Sequence, residues 1–243
     1  LRAKHIATMT RVGHAMVLAA GLGQRMRPLT NNKPKALVVL QGQTLLDRAL
    51  VKCREAGVDT LVVNTHYKGE MIVHHVRGMT DVTLSEEEDL LETGGGVANA
   101  LPLLGARAFF VVNCDSVWTD SRRPALQRMI ANWRDTEMDA LLLLQPADRA
   151  VGYDGAGDFS IDANGRLSRR GEDPHAPLVF MGVQLLHPRL FADTKVERFS
   201  LNRIYDRTLS GGRLFGLVHD GEWFHVGTPR DLATAERLIG PDG

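Results

Sequence analysis

Two hydrophobic periods take turns along this chain. Residues 14–20 form a short continuous apolar run closed by Gly21, the pattern of a strand buried on both faces of a parallel sheet. From 44 to 55, apolar residues at Leu45, Leu46, Ala49, Leu50 and Cys53 keep a helical spacing, and Gly57 ends it. The same reading predicts strands at 60–64, 82–84, 108–113 and 140–144, with helices at 69–76, 96–103 and 124–133 between them. Strand and helix in alternation imply right-handed crossovers and an α/β fold: a mixed, mainly parallel sheet with helices on both faces. Ligands of such sheets bind beyond the carboxyl ends of the strands, so the residues after Ala20, Asn64 and Asn113 are expected on one rim.

Beyond 145 the texture changes. Gly, Asp and Asn crowd residues 152–171 and predict hairpins and loops; a strand at 178–186, a helix at 201–209, a strand at 213–218 and a helix at 229–239 follow. No Pro- or Ser-rich linker, repeat or low-complexity tract interrupts the pattern. A single domain over residues 13–243 is predicted, preceded by a basic, loosely attached tail at 1–12.

Composition narrows the partners. The 243 residues are 44% apolar, enough for a sizeable core, and 29 Lys and Arg balance 29 Asp and Glu. That balance offers no electrostatic reason to expect nucleic acid or an anionic membrane. No apolar run reaches the roughly 20 residues of a membrane span, and no signal-peptide core follows the basic start. Cys53 and Cys114 are too sparse for a disulfide scaffold and are read as reduced thiols of a cytoplasmic protein. Oligomeric state is not legible.

The first strand opens into Ala20-Gly-Leu-Gly-Gln-Arg-Met-Arg-Pro-Leu-Thr30. Two glycines two apart let the backbone turn sharply and aim several N–H groups at an anion. Arg25, Arg27 and, after Pro34, Lys35 add cations. This is neither a P-loop nor the dinucleotide fingerprint, which would place a third glycine where Met26 stands. An ordinary tight turn also explains a short G-x-G. The full string G-L-G-Q-R-M-R-P-L-T followed by K-P-K-A-L is more specific: it resembles the signature of the sugar-phosphate nucleotidyltransferase family, makers of NDP-sugars from a nucleoside triphosphate and a sugar 1-phosphate. The resemblance implies that family's Rossmann-like nucleotide-diphospho-sugar transferase fold. It also implies that the backbone of Ala20, Gly21, Leu22 and Gly23 wraps the triphosphate, and that Arg25 and Lys35 are the catalytic cations. Arg27 is read equally as a phosphate contact or a surface salt bridge.

Leu91-Glu-Thr-Gly-Gly-Gly96 stands just before the predicted third helix. Three consecutive glycines weaken helix and strand alike, so they suggest close approach of backbone to a flat ligand, with a flexible loop as the bland alternative. The family places its nucleobase here, which implies that Glu92, Thr93, Gly94 and Gly95 contact the nucleotide. The run Glu86 to Asp89 reads as a solvated face.

Asp115 ends the apolar strand 109–113 at the rim, and an ionised carboxylate there is costly unless a cation meets it. Its N-x-D string matches the family's metal motif, implying Mg²⁺ on Asp115 (Mn²⁺ as the alternative) and a contact of Asn113 with the sugar or, alternatively, the ribose. A cap for the next turn is the structural alternative. The family's second metal aspartate falls in a W-x-D-V-G-T string; here the string is Trp223-Phe-His-Val-Gly-Thr228, so His225 stands in its place. Histidine suits Mn²⁺, Co²⁺ or Zn²⁺ better than Mg²⁺. His225 is therefore expected either to ligate a softer metal or to contact phosphate while Asp115 alone serves the ion. Resemblance further implies sugar contacts at Asp158, Glu172 and Gly182.

The strings L-E-T-G-G-G and V-W-T-D resemble the family's uridylyltransferases acting on N-acetylmuramate 1-phosphate, a step of peptidoglycan recycling. Guanylyl transfer from GTP to mannose or heptose 1-phosphate is the alternative. The His225 departure raises a rival of another class, a catalytically silent nucleotide-sensing module; intact Arg25, Lys35 and Asp115 argue against it.

Overall fold

The computed structural model describes residues 11–239. The chain runs through β1 (His14–Leu18), the two-residue strands β2 (Val39–Leu40) and β3 (Gln43–Thr44), α1 (Leu45–Glu55), β4 (Thr60–Thr65), α2 (Gly69–His75) and β5 (Val82–Glu86). It continues through α3 (Glu92–Leu104), β6 (Phe109–Asn113), β7 (Ser116–Thr119), α4 (Ala125–Asn132), β8 (Ala140–Pro146) and β9 (Ala150–Val151). The last elements are β10 (Phe159–Ile161), β11 (Leu167–Arg169), β12 (Leu178–Leu186), α5 (Asn202–Ser210), β13 (Leu214–Val218), β14 (Glu222–His225) and α6 (Pro229–Leu238).

Among the described residues the main sheet has nine strands, in the order β11-β10-β12-β6-β1-β4-β5, with β8 joined to β12 and β13 to β8. β1 lies between β4 and β6 and runs parallel to both; β5 extends the parallel set. β12 is antiparallel to β6 and to β8. Alternation along β1 serves both faces: Ala15 and Val17 enter the core under α1, α2 and α4, whereas Met16 enters the core under α3 and α5. Leu50, Leu126 and Met129 close the first core, and Val97, Ile204 and Tyr205 the second. Each such aliphatic side chain contributes about 1.5–3 kcal/mol on burial. The mixed, mainly parallel sheet with helices on both faces is the architecture expected from the sequence.

A second sheet, β7-β14-β9, was not visible in the hydrophobic pattern because its strands have two to four residues. Its register sets His225 opposite Ser116, and the Val226 N–H reaches the Asp115 carbonyl at 3.4 Å. Two segments 110 residues apart thereby meet at the rim of the main sheet.

Two expectations change. Arg11 and Val12 do not belong to a loose tail: Val12 is 2% exposed in the first core and Arg11 pairs with Asp59 at 2.5 Å. Residues 1–10 of that expected tail lie outside the described residues. The third helix starts at Glu92, not 96, and contains all three glycines.

α6 begins with a capping box. The Asp231 N–H donates to Thr228 Oγ1 at 3.2 Å, and the Thr228 N–H donates to Asp231 Oδ2 at 2.8 Å. Leu232 and Ala235 pack with Phe224 and Val226, so the cap fixes the chain just after His225. Thr228→Ala is expected to lower stability by about 1 kcal/mol, read from urea unfolding; an unchanged midpoint would show that the cap is dispensable.

Candidate active site

The rim beyond β1, β4 and β6 carries the site. After Leu18 the chain turns through Gly23, whose φ of 61° lies in the left-handed region, while a Cβ there would stand 3.1 Å from side-chain atoms of both Lys35 and Thr30. Glycine meets both demands. The loop is closed by Thr30 Oγ1, which donates to the Gly23 carbonyl at 2.8 Å, and anchored by fully buried Met26. A Cβ on Gly21 would meet nothing within 4 Å, so its backbone borders open space.

That space belongs to a cavity of about 360 Å³ lined by Ala20, Gly21, Lys35, Glu87, Glu92, Thr93, Asn113, Asp115 and several neighbours. A second cavity of about 340 Å³ is lined by Leu22, Gly23, Gln24 and Arg25 and shares Lys35 and Leu90 with the first. A third, about 480 Å³, is lined by Arg25, Tyr153, His225, Thr228, Arg230 and others, and shares Arg25 with the second. The three adjoin as a cleft, with Lys35 shared by the first two and Arg25 by the last two.

Lys35 and Asp115 pair on the wall of the first cavity. Lys35 Nζ donates to Asp115 Oδ2 at 2.5 Å; the side chains are 13% and 22% exposed. Burial would push the Asp115 carboxyl up, but the charge and hydrogen bond of Lys35, with His225 nearby, outweigh it and hold the carboxyl below its ordinary value. Burial lowers the His225 imidazole, aided by Lys35 and Arg25 and opposed by Asp115 and Asp231. His225 is therefore mainly neutral at neutral pH, with one ring N–H that can donate to a phosphate oxygen and one nitrogen that can accept. Cys114 is buried, and desolvation pushes its thiol up to about 12, which removes it as a nucleophile.

On the wall of the first cavity a buried network ties the loops together. The Ala19 N–H donates to Asn64 Oδ1 at 2.7 Å, Asn64 Nδ2 donates to Glu87 Oε1 at 2.7 Å, and the Leu91 N–H donates to Glu87 Oε2 at 3.0 Å. Glu87 was expected on a solvated face, yet it is 6% exposed. A cluster of four acidic residues masked it in the sequence; the position of Asn64 at the end of a buried strand was the available signal.

The glycine segment also differs from expectation. A Cβ on Gly94 would stand 2.2 Å from the Phe199 ring, and one on Gly95 would stand 2.1 Å from the Glu197 carbonyl oxygen. The N–H groups of both glycines donate to the Phe199 carbonyl, at 2.9 and 3.1 Å. These N–H groups are capped by protein, and the glycines admit residues 197–199 rather than a flat ligand. Gly94 and Gly95 are absent from the cavity lining, whereas Glu92 and Thr93 are on it. Thr93 Oγ1 accepts the Leu201 N–H at 2.9 Å, and Glu92 pairs with Arg198 at 2.9 Å.

Of the four residues expected at the sugar, the structure sets one on the cleft: Asn113 lines the first cavity. Gly182 lies behind it at a register shift in β12, with φ 75° and a Cβ position 2.6 Å from Asn113 Nδ2; it makes room for Asn113. Asp158 accepts the Phe180 N–H at 2.9 Å and so staples the loop to β12. Glu172 is an exposed turn residue that lines none of the three cavities. Arg27 is exposed and also off the cavity walls.

Comparison with known proteins agrees with this architecture. Residues 15–208 match the model of the MobA-like NTP transferase domain. The chain is 40% identical over 232 residues to an N-acetylmuramate alpha-1-phosphate uridylyltransferase of Caulobacter vibrioides, covering 93% of this chain and 96% of that one. It is 32% identical to the enzyme of the same name from Neisseria meningitidis, covering 93% and 98%. HddC from Yersinia pseudotuberculosis, complexed with GMP-PN, superposes with a TM-score of 0.76 at 22% identity, over 93% and 99% of the two chains. A glucose-1-phosphate thymidylyltransferase structure from Bacillus anthracis, described as putative, gives 0.76 at 18% identity, over 93% and 94%. A match across most of its length, to the family model and to relatives above 30% identity alike, makes this chain a member of the MobA-like NTP transferase family and a nucleotidyltransferase of the sugar-1-phosphate class.

Proposed function

We propose that the chain couples UTP to N-acetylmuramate 1-phosphate, forming UDP-N-acetylmuramate and pyrophosphate. The observation that carries this reading is the convergence of the Gly21 backbone, Lys35 and Asp115 on one cavity, which shares Lys35 with a second, itself sharing Arg25 with a third. The choice of uracil and of the muramate sugar follows the two relatives of that name, one matched over 96% of its length. In this reading the nucleoside occupies the first cavity, the β- and γ-phosphates the second, and the sugar 1-phosphate the third.

The sugar phosphate oxygen attacks the α-phosphorus in line, and pyrophosphate leaves. The nucleophile is already ionised at neutral pH, so no general base is required. Lys35 and Arg25 stand where charge builds on the α-phosphate and on the leaving group, and fixed cations there lower the barrier. Among the described residues no three acidic, histidine or cysteine side chains group to hold a metal. One ionised carboxylate at a phosphate site nonetheless suits Mg²⁺, which takes one or two carboxylates and completes its shell with phosphate oxygens and water. Asp115 would hold it, and the ion would neutralise the α-phosphate. His225, neutral and softer, is assigned to phosphate contact. On this reading the reaction is a step of peptidoglycan recycling in the cytoplasm. Among the described residues no helix is long and apolar enough to cross a membrane.

Pyrophosphate release measured across the four NTPs and a panel of sugar 1-phosphates tests the reading. UTP with N-acetylmuramate 1-phosphate should give the highest kcat/KM; a preference for GTP with mannose or heptose 1-phosphate would replace it. His225→Asp is expected to retain or raise Mg²⁺-supported turnover, since it restores an oxygen ligand opposite Ser116. Loss of activity at every Mg²⁺ concentration would rule out the exchange of one ligand for another.

A further inference from the structure

The third cavity carries one cation that phosphate chemistry does not claim. Arg25 lines both this cavity and the phosphate cavity, whereas Arg230, the exposed second residue of α6, lines only this one of the three. The acids near it are Asp231, whose carboxylate is taken by the Thr228 N–H at 2.8 Å, and exposed Asp154. No ion pair forms between Arg230 and either acid among the described residues. Tyr153 lines the same cavity, and its hydroxyl oxygen accepts the Gly157 N–H at 3.1 Å. A neutral sugar bound here would leave that guanidinium facing only water.

On the reading that this cavity takes the sugar 1-phosphate, we infer that Arg230 is a specificity residue for a sugar bearing its own carboxylate. N-acetylmuramate differs from N-acetylglucosamine by the lactyl ether, which ends in such a group. With Arg25 held by phosphate, a second anion entering the cavity would face Asp154 and Asp231 uncompensated unless Arg230 met it. Guanidinium and carboxylate pair in a planar, bidentate manner that an ammonium does not reproduce.

The test compares wild type, Arg230→Gln and Arg230→Lys with saturating UTP and Mg²⁺, each on N-acetylmuramate 1-phosphate and N-acetylglucosamine 1-phosphate. The ratio of the two kcat/KM values should fall about tenfold or more in Arg230→Gln, carried by the KM for the muramate substrate, with kcat little moved. Arg230→Lys should recover part of the ratio. An equal loss on both sugars would make Arg230 a general phosphate or folding residue and overturn the inference, as would an unchanged ratio. Wild-type enzyme that rejects N-acetylmuramate 1-phosphate would sink the substrate reading and this inference together, an outcome separate from variants that fail to shift a real preference.

Discussion

Asp115→Asn is expected to lower kcat at least about a thousandfold while the protein stays folded. The substitution keeps the shape and removes the charge. Asp115 Oδ2 lies 2.5 Å from the Nζ of Lys35, which lines two adjoining cavities, and its carboxyl is held ionised against the pull of burial by the charge and hydrogen bond of Lys35. An amide leaves three deficits at once: no anionic ligand for a divalent ion, no ionic partner to orient Lys35, and an uncancelled cation in the resting site. The first two act on the transition state. The third acts on stability, and cavity solvent moderates it, since the two side chains are 22% and 13% exposed. A loss of about 1–2 kcal/mol is expected, below the 3–5 kcal/mol that follows from orphaning one member of a fully buried pair. Steady-state pyrophosphate release and thermal unfolding of the same preparation separate these effects. Turnover within tenfold of wild type would show that Asp115 is a structural partner of Lys35 and no more.

Much of this was legible in the residues. Continuous apolar runs gave β1, β6 and β12, and the 3.6-residue spacing with Thr44 before it and Gly57 after it gave α1. Gly21, Gly23, Arg25 and Lys35 sit close together in sequence and on one loop in space, so a local motif sufficed. What escaped was non-local. Strands as short as β7 and β14 have no usable period, and their pairing, which sets His225 beside Asp115, is a property of topology. Glu87 looked like one of four surface acids until its two hydrogen bonds, to a strand end and to a backbone N–H, marked it as interior. Asp158 and Glu172 lie off the three cavities: a turn rich in Gly and Asp resembles a ligand loop in composition, and only the fold shows which residues line the cleft.

Gly95→Ala is expected to cost about 2 kcal/mol or more and to raise the KM for the nucleotide roughly tenfold. Helix propensity alone predicts the reverse, since alanine in place of glycine in a helix gains about 1 kcal/mol. Packing decides against it. The new Cβ would stand 2.1 Å from the backbone oxygen of Glu197, an atom with no rotamer to escape through. Residues 197–201 are pinned to the start of α3 by several bonds: the Phe199 N–H to the Leu91 carbonyl at 3.1 Å, the Gly94 and Gly95 N–H groups to the Phe199 carbonyl, and the Leu201 N–H to Thr93 Oγ1. Relief of the clash must therefore move this strap or unwind the first helical turn. Either movement displaces Ser200, Glu92 and Thr93, which line the cavity assigned to the nucleoside. Gly21→Ala is the reference for stability, because its Cβ would meet nothing within 4 Å. Denaturant unfolding and KM for UTP should thus shift together in Gly95→Ala, and only the unfolding midpoint should hold in Gly21→Ala. A Gly95→Ala protein with wild-type stability and KM would show that the strap yields freely, and that the glycines serve something other than its close approach.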